Sequence, residues 1–386
     1  MKPNFQGFFN GFTLTTLFSE FFKSEKFSGF LLIGCTAISL AIANSSWGPA
    51  YANLWHLPVG GMSLSHLIND GLMAIFFLLV GLEIEREIYI GELSKFKQAV
   101  LPIVAAIGGM LIPASIHLFF NAGTPTASGA GIPMATDIAF ALGILSLAGK
   151  AVPPALKVFL AALAIIDDLG AIIIIAIFYS TGVSFLFLML ALLIFLILFV
   201  LGKRGVTNLW VFLLPGVLLW YFMYRSGVHA TISGVLLAFA IPFGKNGKNS
   251  TSEKLQRFLH PVVGYFIVPI FALANTDIVL DQQIMQTLFS VNSLGIITGL
   301  ALGKPVGIFL FSWVAVRVKM ANLPQFVNWK HILAAGMLGG IGFTMSIFIT
   351  LLAFSDAEHI IGSKVAILIA SLLSALLGLI TFRTIR

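Results

Sequence analysis

From Ala161 to Phe178 the chain reads AALAIIDDLGAIIIIAIF, an eighteen-residue apolar stretch that carries the adjacent carboxylates Asp167 and Asp168. A soluble surface helix keeps its polar residues to one side of an apolar stripe, so this stretch cannot be one. Taken from Ala155 to Tyr179 it is 25 residues long, enough to cross a bilayer core of about 30 Å with some tilt. The two acids then fall at mid-depth, where one charged side chain costs roughly 2.5–3.5 kcal/mol on insertion scales. A chain that keeps two acids there is expected to use them.

Composition places the whole chain in the same setting. It has 386 residues, of which 59% are hydrophobic and only 10% charged, which fits a polytopic all-α membrane protein and leaves no soluble domain to assign. The single Cys35 excludes an internal disulfide, and no Cys/His cluster offers a zinc site, so no cofactor is expected. The net charge of +7 comes from basic residues scattered at helix ends. That pattern points to membrane topology rather than to nucleic acid.

Apolar periodicity predicts twelve spans, near 27–44, 65–86, 98–120, 131–147, 155–179, 183–202, 207–222, 227–243, 259–275, 292–314, 331–354 and 361–382. Residues 27–386 then form one transmembrane domain, preceded by a segment 1–26. There Phe5, Phe8, Phe9 and Phe12 recur at helical spacing, as in an amphipathic helix lying on the membrane surface. Ala41-Ile42-Ala43 imitates a signal-peptidase site, but cleavage would remove one span from a set that counts correctly with it. Residues 45–64 hold alternating residues around Gly60-Gly61, predicting an external hairpin that serves either as a plain connection or as an edge for contact with a second copy. Nineteen Lys and Arg fall on one side of this layout, only Arg225 and Lys364 on the other, and Lys304 within a span. By the positive-inside rule both termini face the cytoplasm.

Two spans look broken. GAGIPMATDIAFALG, from Gly129 to Gly143, holds Pro133 beside Asp137, and GMLGGIGFTMS, from Gly336 to Ser346, holds Gly339, Gly340 and Gly342. Such interruptions persist in a bilayer only where protein or a water-filled cavity satisfies the freed backbone groups. They are the fourth and eleventh spans, central in two three-helix units, 3–5 and 10–12, and paired breaks of this kind point to a transporter's binding site. Of the fifteen acids only Asp137, Asp167 and Asp168 lie deep in apolar sequence, and Lys304 is the only basic residue in the middle of a span. An intramembrane lysine wants a carboxylate partner, and any of the three acids qualifies.

These stretches resemble the NhaA family of sodium/proton antiporters along nearly the whole chain: Asn69–Glu87 (NDGLMAIFFLLVGLEIERE), Ala105–Pro113, Pro133–Leu145, Phe159–Gly170, Ser226–Val235, Gly299–Gly307 and Gly336–Ser346. The resemblance implies inverted repeats whose interrupted helices 4 and 11 cross near the midplane. It also implies exchange of one sodium or lithium ion for two protons across a bacterial inner membrane, regulation by pH, and a homodimer formed through 45–64, with lipid and no protein substrate as further surroundings. Asp168 and Asp167 are then the sodium ligands, with Thr136 beside them. Asp168 is the expected ion ligand and Asp167 the coupled proton carrier. Asp137 and Lys304 compensate the helix ends at the breaks, and Lys304 has Asp167 as an alternative partner. The pH gate and cytoplasmic funnel would comprise Asp70, Glu83, Arg86, Glu87, Gln256, Arg257 and His260. Here the chain departs from the family pattern, since Gln256 and Arg257 stand where an acid and a histidine are usual and Glu85 where a lysine is usual. His229 is given a packing role.

The chemistry needs no name. Sodium sheds water only into an anionic oxygen cage, and the same carboxylates bind protons, so cation and protons compete for one site. The chain holds no Gly-x-Gly-Asp tetrapeptide of an intramembrane aspartyl protease, and an enzyme is not expected. A passive channel would have no use for an adjacent acid pair with one compensating lysine.

Overall fold

The computed structural model describes residues 12–149, 152–180, 182–244 and 250–385. Among them, seven helices are long and apolar enough to cross a membrane: Leu64–Tyr89, Phe96–Asn121, Pro154–Phe178, Phe185–Lys203, Thr251–Asn275, Val291–Arg317 and Ala357–Thr384. Three bent pairs bring the number to ten. The seventh and eighth expected spans differ from expectation, as helices Trp210–Ser226 and Ile232–Ala240 have 17 and 9 residues. Gly227 stops the first in a left-handed conformation at φ 78°, which glycine adopts without strain. Ile241, extended at ψ 132°, precedes Pro242, and a residue before proline is driven out of the helical region. Among the described residues, ten of the twelve expected spans thus have a helix or bent pair of spanning length, and these two do not.

The first helix runs unbroken over Phe12–Ala43, so the expected surface segment continues into the first span; the residues before Phe12 lie outside those described. After a 119° bend comes the short helix Gly48–Trp55, which occupies part of the expected loop. The hairpin follows as read: Pro58 pairs with Ser63 and Val59 with Met62. Gly60 and Gly61 turn it at φ 61° and 88°, the paired positive values that a tight two-residue hairpin demands. Ser28 and Ser39 donate to Gly264 O and Leu273 O at 2.8 and 3.0 Å, fastening the first helix to Thr251–Asn275.

The two predicted interruptions are both present. A 3-10 segment, Pro125–Met134, meets the α-helix Ile138–Leu147 at 46°, and Trp329–Gly339 meets Phe343–Ala353 at 47°. The first chain is extended through Ala135 and Asp137. The second turns within Gly340-Ile341-Gly342 without leaving right-handed helical values at either glycine. Against the breaks pack the acid helix Pro154–Phe178 and the lysine helix Val291–Arg317, the latter widened to a π-turn over Gly299–Gly303 just before Lys304. π-turns insert one residue into a helix and cluster at functional sites.

Candidate ion site at the two helix breaks

Each break leaves helix ends with unpaired backbone groups and partial charges, positive at N-termini and negative at C-termini. Asp137 sits where two N-termini meet. It caps Ile138–Leu147 by accepting from Phe140 N at 2.9 Å, and its other oxygen accepts from the backbone N of Thr344 at 3.2 Å and from the Thr344 hydroxyl. Its own N–H donates to Ile341 O at 2.7 Å. Lys304 sits on the opposite side, where C-terminal carbonyls gather: its ammonium donates to Met134 O, the last carbonyl of the 3-10 segment. Negative and positive side chains thus face the complementary helix ends.

The same ammonium lies 2.9 Å from Oδ2 of Asp167, with both side chains sealed from solvent. Asp167, rather than Asp137, is therefore the partner of Lys304. Thr136 completes the corner, its hydroxyl lying 2.7 Å from that Asp167 oxygen and 2.9 Å from Gly339 O. A hydroxyl has one proton to give, so Thr136 serves either the carboxylate or the carbonyl. Asp168, one residue on, projects about 100° away around the helix. It is also buried, and Oδ1 of both Asp167 and Asp168 has no hydrogen-bond partner among the described residues. A buried carboxylate oxygen without a donor is costly, and either a proton or a cation would relieve it. Among the described residues no group of three or more His, Cys, Asp or Glu is placed to hold a metal ion; a cation at these two acids would need further oxygens from hydroxyls and carbonyls such as those of Thr136 and Gly339.

Three residues at the breaks were missed by sequence reasoning. Thr344 supplies both donors to Oδ2 of Asp137, Ser346 donates to Ile132 O at 2.7 Å, and Ser371 accepts from Phe343 N at 3.2 Å. The polar letters in GFTMS were the signal for the first two. Nothing marks Ser371 among the serines of its helix.

The expected gate divides. Glu83, buried, lies 4.0 Å from His260. Arg86 pairs with Glu87 at 2.9 Å, and Arg257 with Glu253 at 2.9 Å. Gln256 is buried, and the Ser252 hydroxyl donates to Glu85 at 3.1 Å. A cleft of about 280 Å³ opens along Glu253, Lys254, Arg257 and Phe258. Outside the spans, burial and then the charge of Glu87 raise the Glu92 carboxyl above its usual range. Asp70 does not belong to this group. It lies at the other end of Leu64–Tyr89, thirteen residues or about 20 Å from Glu83, and is met by His66 at 3.2 Å and His229 at 3.7 Å. His229 thereby has a polar partner as well as packing against Phe348.

The family model for Na+/H+ antiporter 1 matches residues 19–382. The chain belongs to that family. It is 58% identical over 372 residues to the Na(+)/H(+) antiporter NhaA 1 of Flavobacterium johnsoniae, covering 96% of this chain and 98% of that one. To the NhaA proteins of Flavobacterium psychrophilum and Cytophaga hutchinsonii it is 59% and 56% identical, over 95% of both chains in each comparison. A solved sodium proton antiporter of Methanocaldococcus jannaschii aligns over 94% of this chain and 98% of its own at 15% identity and a TM-score of 0.48. The family membership makes this a multi-pass membrane transporter rather than an enzyme.

Proposed function

We propose that this chain exports sodium, or lithium, in exchange for protons by letting both compete for Asp168 and Asp167. The observation that carries the reading is the buried acid pair at the junction of two broken helices, one acid held by Lys304 and the other without a compensating cation in contact among the described residues. Asp168 is the acid that must be either protonated or bound to the cation. The second proton belongs to the Asp167 and Lys304 pair. When a cation takes an oxygen of Asp167, the lysine is left with Met134 O alone, and the Thr136 proton turns between Asp167 and Gly339 O.

Two carboxylates give two protons per sodium. Such exchange moves one net charge inward, worth about 2.3 kcal/mol per 100 mV, so membrane potential alone can expel sodium. Alternating access follows from a site reached from one side at a time. The basic ends, with both termini, lie on the cytoplasmic side of a bacterial inner membrane, and the cleft by Glu253 and Arg257 opens on that side. Buried Glu83 with His260, 4.0 Å apart, is the element through which pH acts. The exposed hairpin edge at Pro58 and Val59 joins two copies, with lipid around the remaining apolar faces.

Purified protein in vesicles tests this. A sodium gradient should drive opposed proton movement that responds to an imposed potential, and Asp168→Asn should abolish it. Sodium-driven proton flux at the wild-type rate in Asp168→Asn would remove that residue from the site. A current reversing at the sodium potential whatever the pH would make the chain a channel.

A further inference from the structure

Lys304 completes the site, but its helix is located by contacts far from it. Gly295, Gly299, Gly303 and Gly307 recur every fourth residue on Val291–Arg317. They line a face against Phe96–Asn121 and, at Gly299, Pro133 of the 3-10 segment, where added Cβ atoms would meet Asn121 and His117, Pro133 and Pro113, Ile116 and Pro113, and the backbone of Gly108. At Gly108 and Gly307 a Cβ on either would come within 2.4 or 2.1 Å of the other's carbonyl oxygen. This face allows close approach, yet glycine and aliphatic surfaces offer few directional bonds to fix how far one helix has slid along the other.

Directional bonds appear at the outer end. Asn292 donates through Nδ2 to Ser363 at 2.8 Å, which turns its Oδ1 to His117 Nε2 at 3.2 Å. Asn121 donates to Val291 O at 3.1 Å and to His117 O at 2.9 Å, and accepts the Thr126 hydroxyl at 2.6 Å. His117, Asn121, Asn292 and Ser363 are all buried. Thr126 belongs to the 3-10 segment whose last residue, Met134, supplies the carbonyl that holds Lys304. One corner of Phe96–Asn121 therefore anchors both the lysine helix and the strand of chain that receives the lysine.

We infer that His117 and Asn292 are positioning residues for Lys304, fixing the register that brings its ammonium to Asp167 and Met134 together. Asn292 and Lys304 are twelve residues apart, about 18 Å along the helix. A slip of one residue moves the lysine about 1.5 Å and turns it about 100°, which takes it off both acceptors. His117 acts as a donor through Nε2, because Asn292 presents an acceptor to it.

The inference rests on the ion site proposed above, and the test separates the two. In vesicles of the full chain, His117→Leu and Asn292→Leu should raise the apparent sodium KM about tenfold, the effect of one buried hydrogen bond left unmade, and displace the pH profile of exchange. His117→Gln, whose amide again presents a donor to Asn292, should return KM to within about twofold of wild type. Folded leucine variants with wild-type KM and pH profile, or with only a lower maximal rate, overturn the inference. Should they fail to fold, Ser363→Ala decides: a KM raised about threefold supports it, and an unchanged KM overturns it. If Asp168→Asn exchanges normally, the site reading itself has failed; if that variant is dead while the leucine variants behave as wild type, only the register inference has.

Discussion

The two breaks bend their helices almost equally, by 46° and 47°, through opposite means. The first leaves helical conformation and fills the gap with side chains: Thr136 and Asp137 lie in the extended segment itself. The second is made of glycine around Ile341 and offers mostly backbone groups, Gly339 O to Thr136, Ile341 O to the Asp137 backbone and Thr344 N to the Asp137 carboxylate, its side chains entering only beyond the glycines as the Thr344 and Ser346 hydroxyls. Chemistry is thus concentrated on one chain and space on the other. A cation site needs both, because oxygens must converge and no Cβ must stand between them.

Asp137→Ala attacks the side that carries side chains and should have the largest effect. Hydrogen bonds to a charged group are worth about 1.5–3 kcal/mol each, and the carboxylate also answers two helix N-termini. The alanine variant should lose exchange and more than about 3 kcal/mol of stability, read as thermal unfolding in detergent. Asp137→Asn keeps an acceptor without the charge and should fall between. If alanine unfolds with the wild type, helix ends at the second break need no help from the first.

Gly340→Ala attacks the empty side. An added Cβ would stand 2.3 Å from Leu300 O and 2.6 Å from the Ser374 hydroxyl. The serine can rotate, but the carbonyl belongs to the π-turn that delivers Lys304. Overpacking of this sort costs about 1–3 kcal/mol, and here the shift passes to the lysine. Exchange should fall further than stability does, measured side by side on one preparation. Wild-type turnover in this variant would mean the second break has room that the contact distances deny it.

Much of this was legible in the sequence for a physical reason: in an apolar run, anything polar or helix-breaking is costly and so stands out. Asp167, Asp168, Asp137, Lys304, Pro133 and the glycines at 339–342 were all found that way, as was the Gly60-Gly61 turn. The partner of Lys304 was not, since helical spacing gives the direction of a side chain on its own axis and says nothing about how axes cross. Asp70 was assigned to the gate although it opens the span that Glu83 and Glu87 close. The shortness of Ile232–Ala240 was written in Gly227 and Pro242, yet apolar residues on both sides masked it. Ser371 was invisible, because a serine facing a neighbour's helix end looks like any small residue used for packing.

Ser371→Ala sharpens the comparison at its quiet edge and should have the smallest effect. Its hydroxyl accepts from Phe343 N at 3.2 Å, one of the first donors of Phe343–Ala353, whose N-terminal residue Gly342 has no side chain to cap with. Helix caps typically contribute about 1 kcal/mol, and Asp137 already neutralises the dipole of this helix through Thr344. The variant should therefore unfold at slightly lower temperature in detergent and keep its sodium KM. If instead KM rises with little loss of stability, the end of that helix is part of the cation cage, and the bare break carries chemistry of its own.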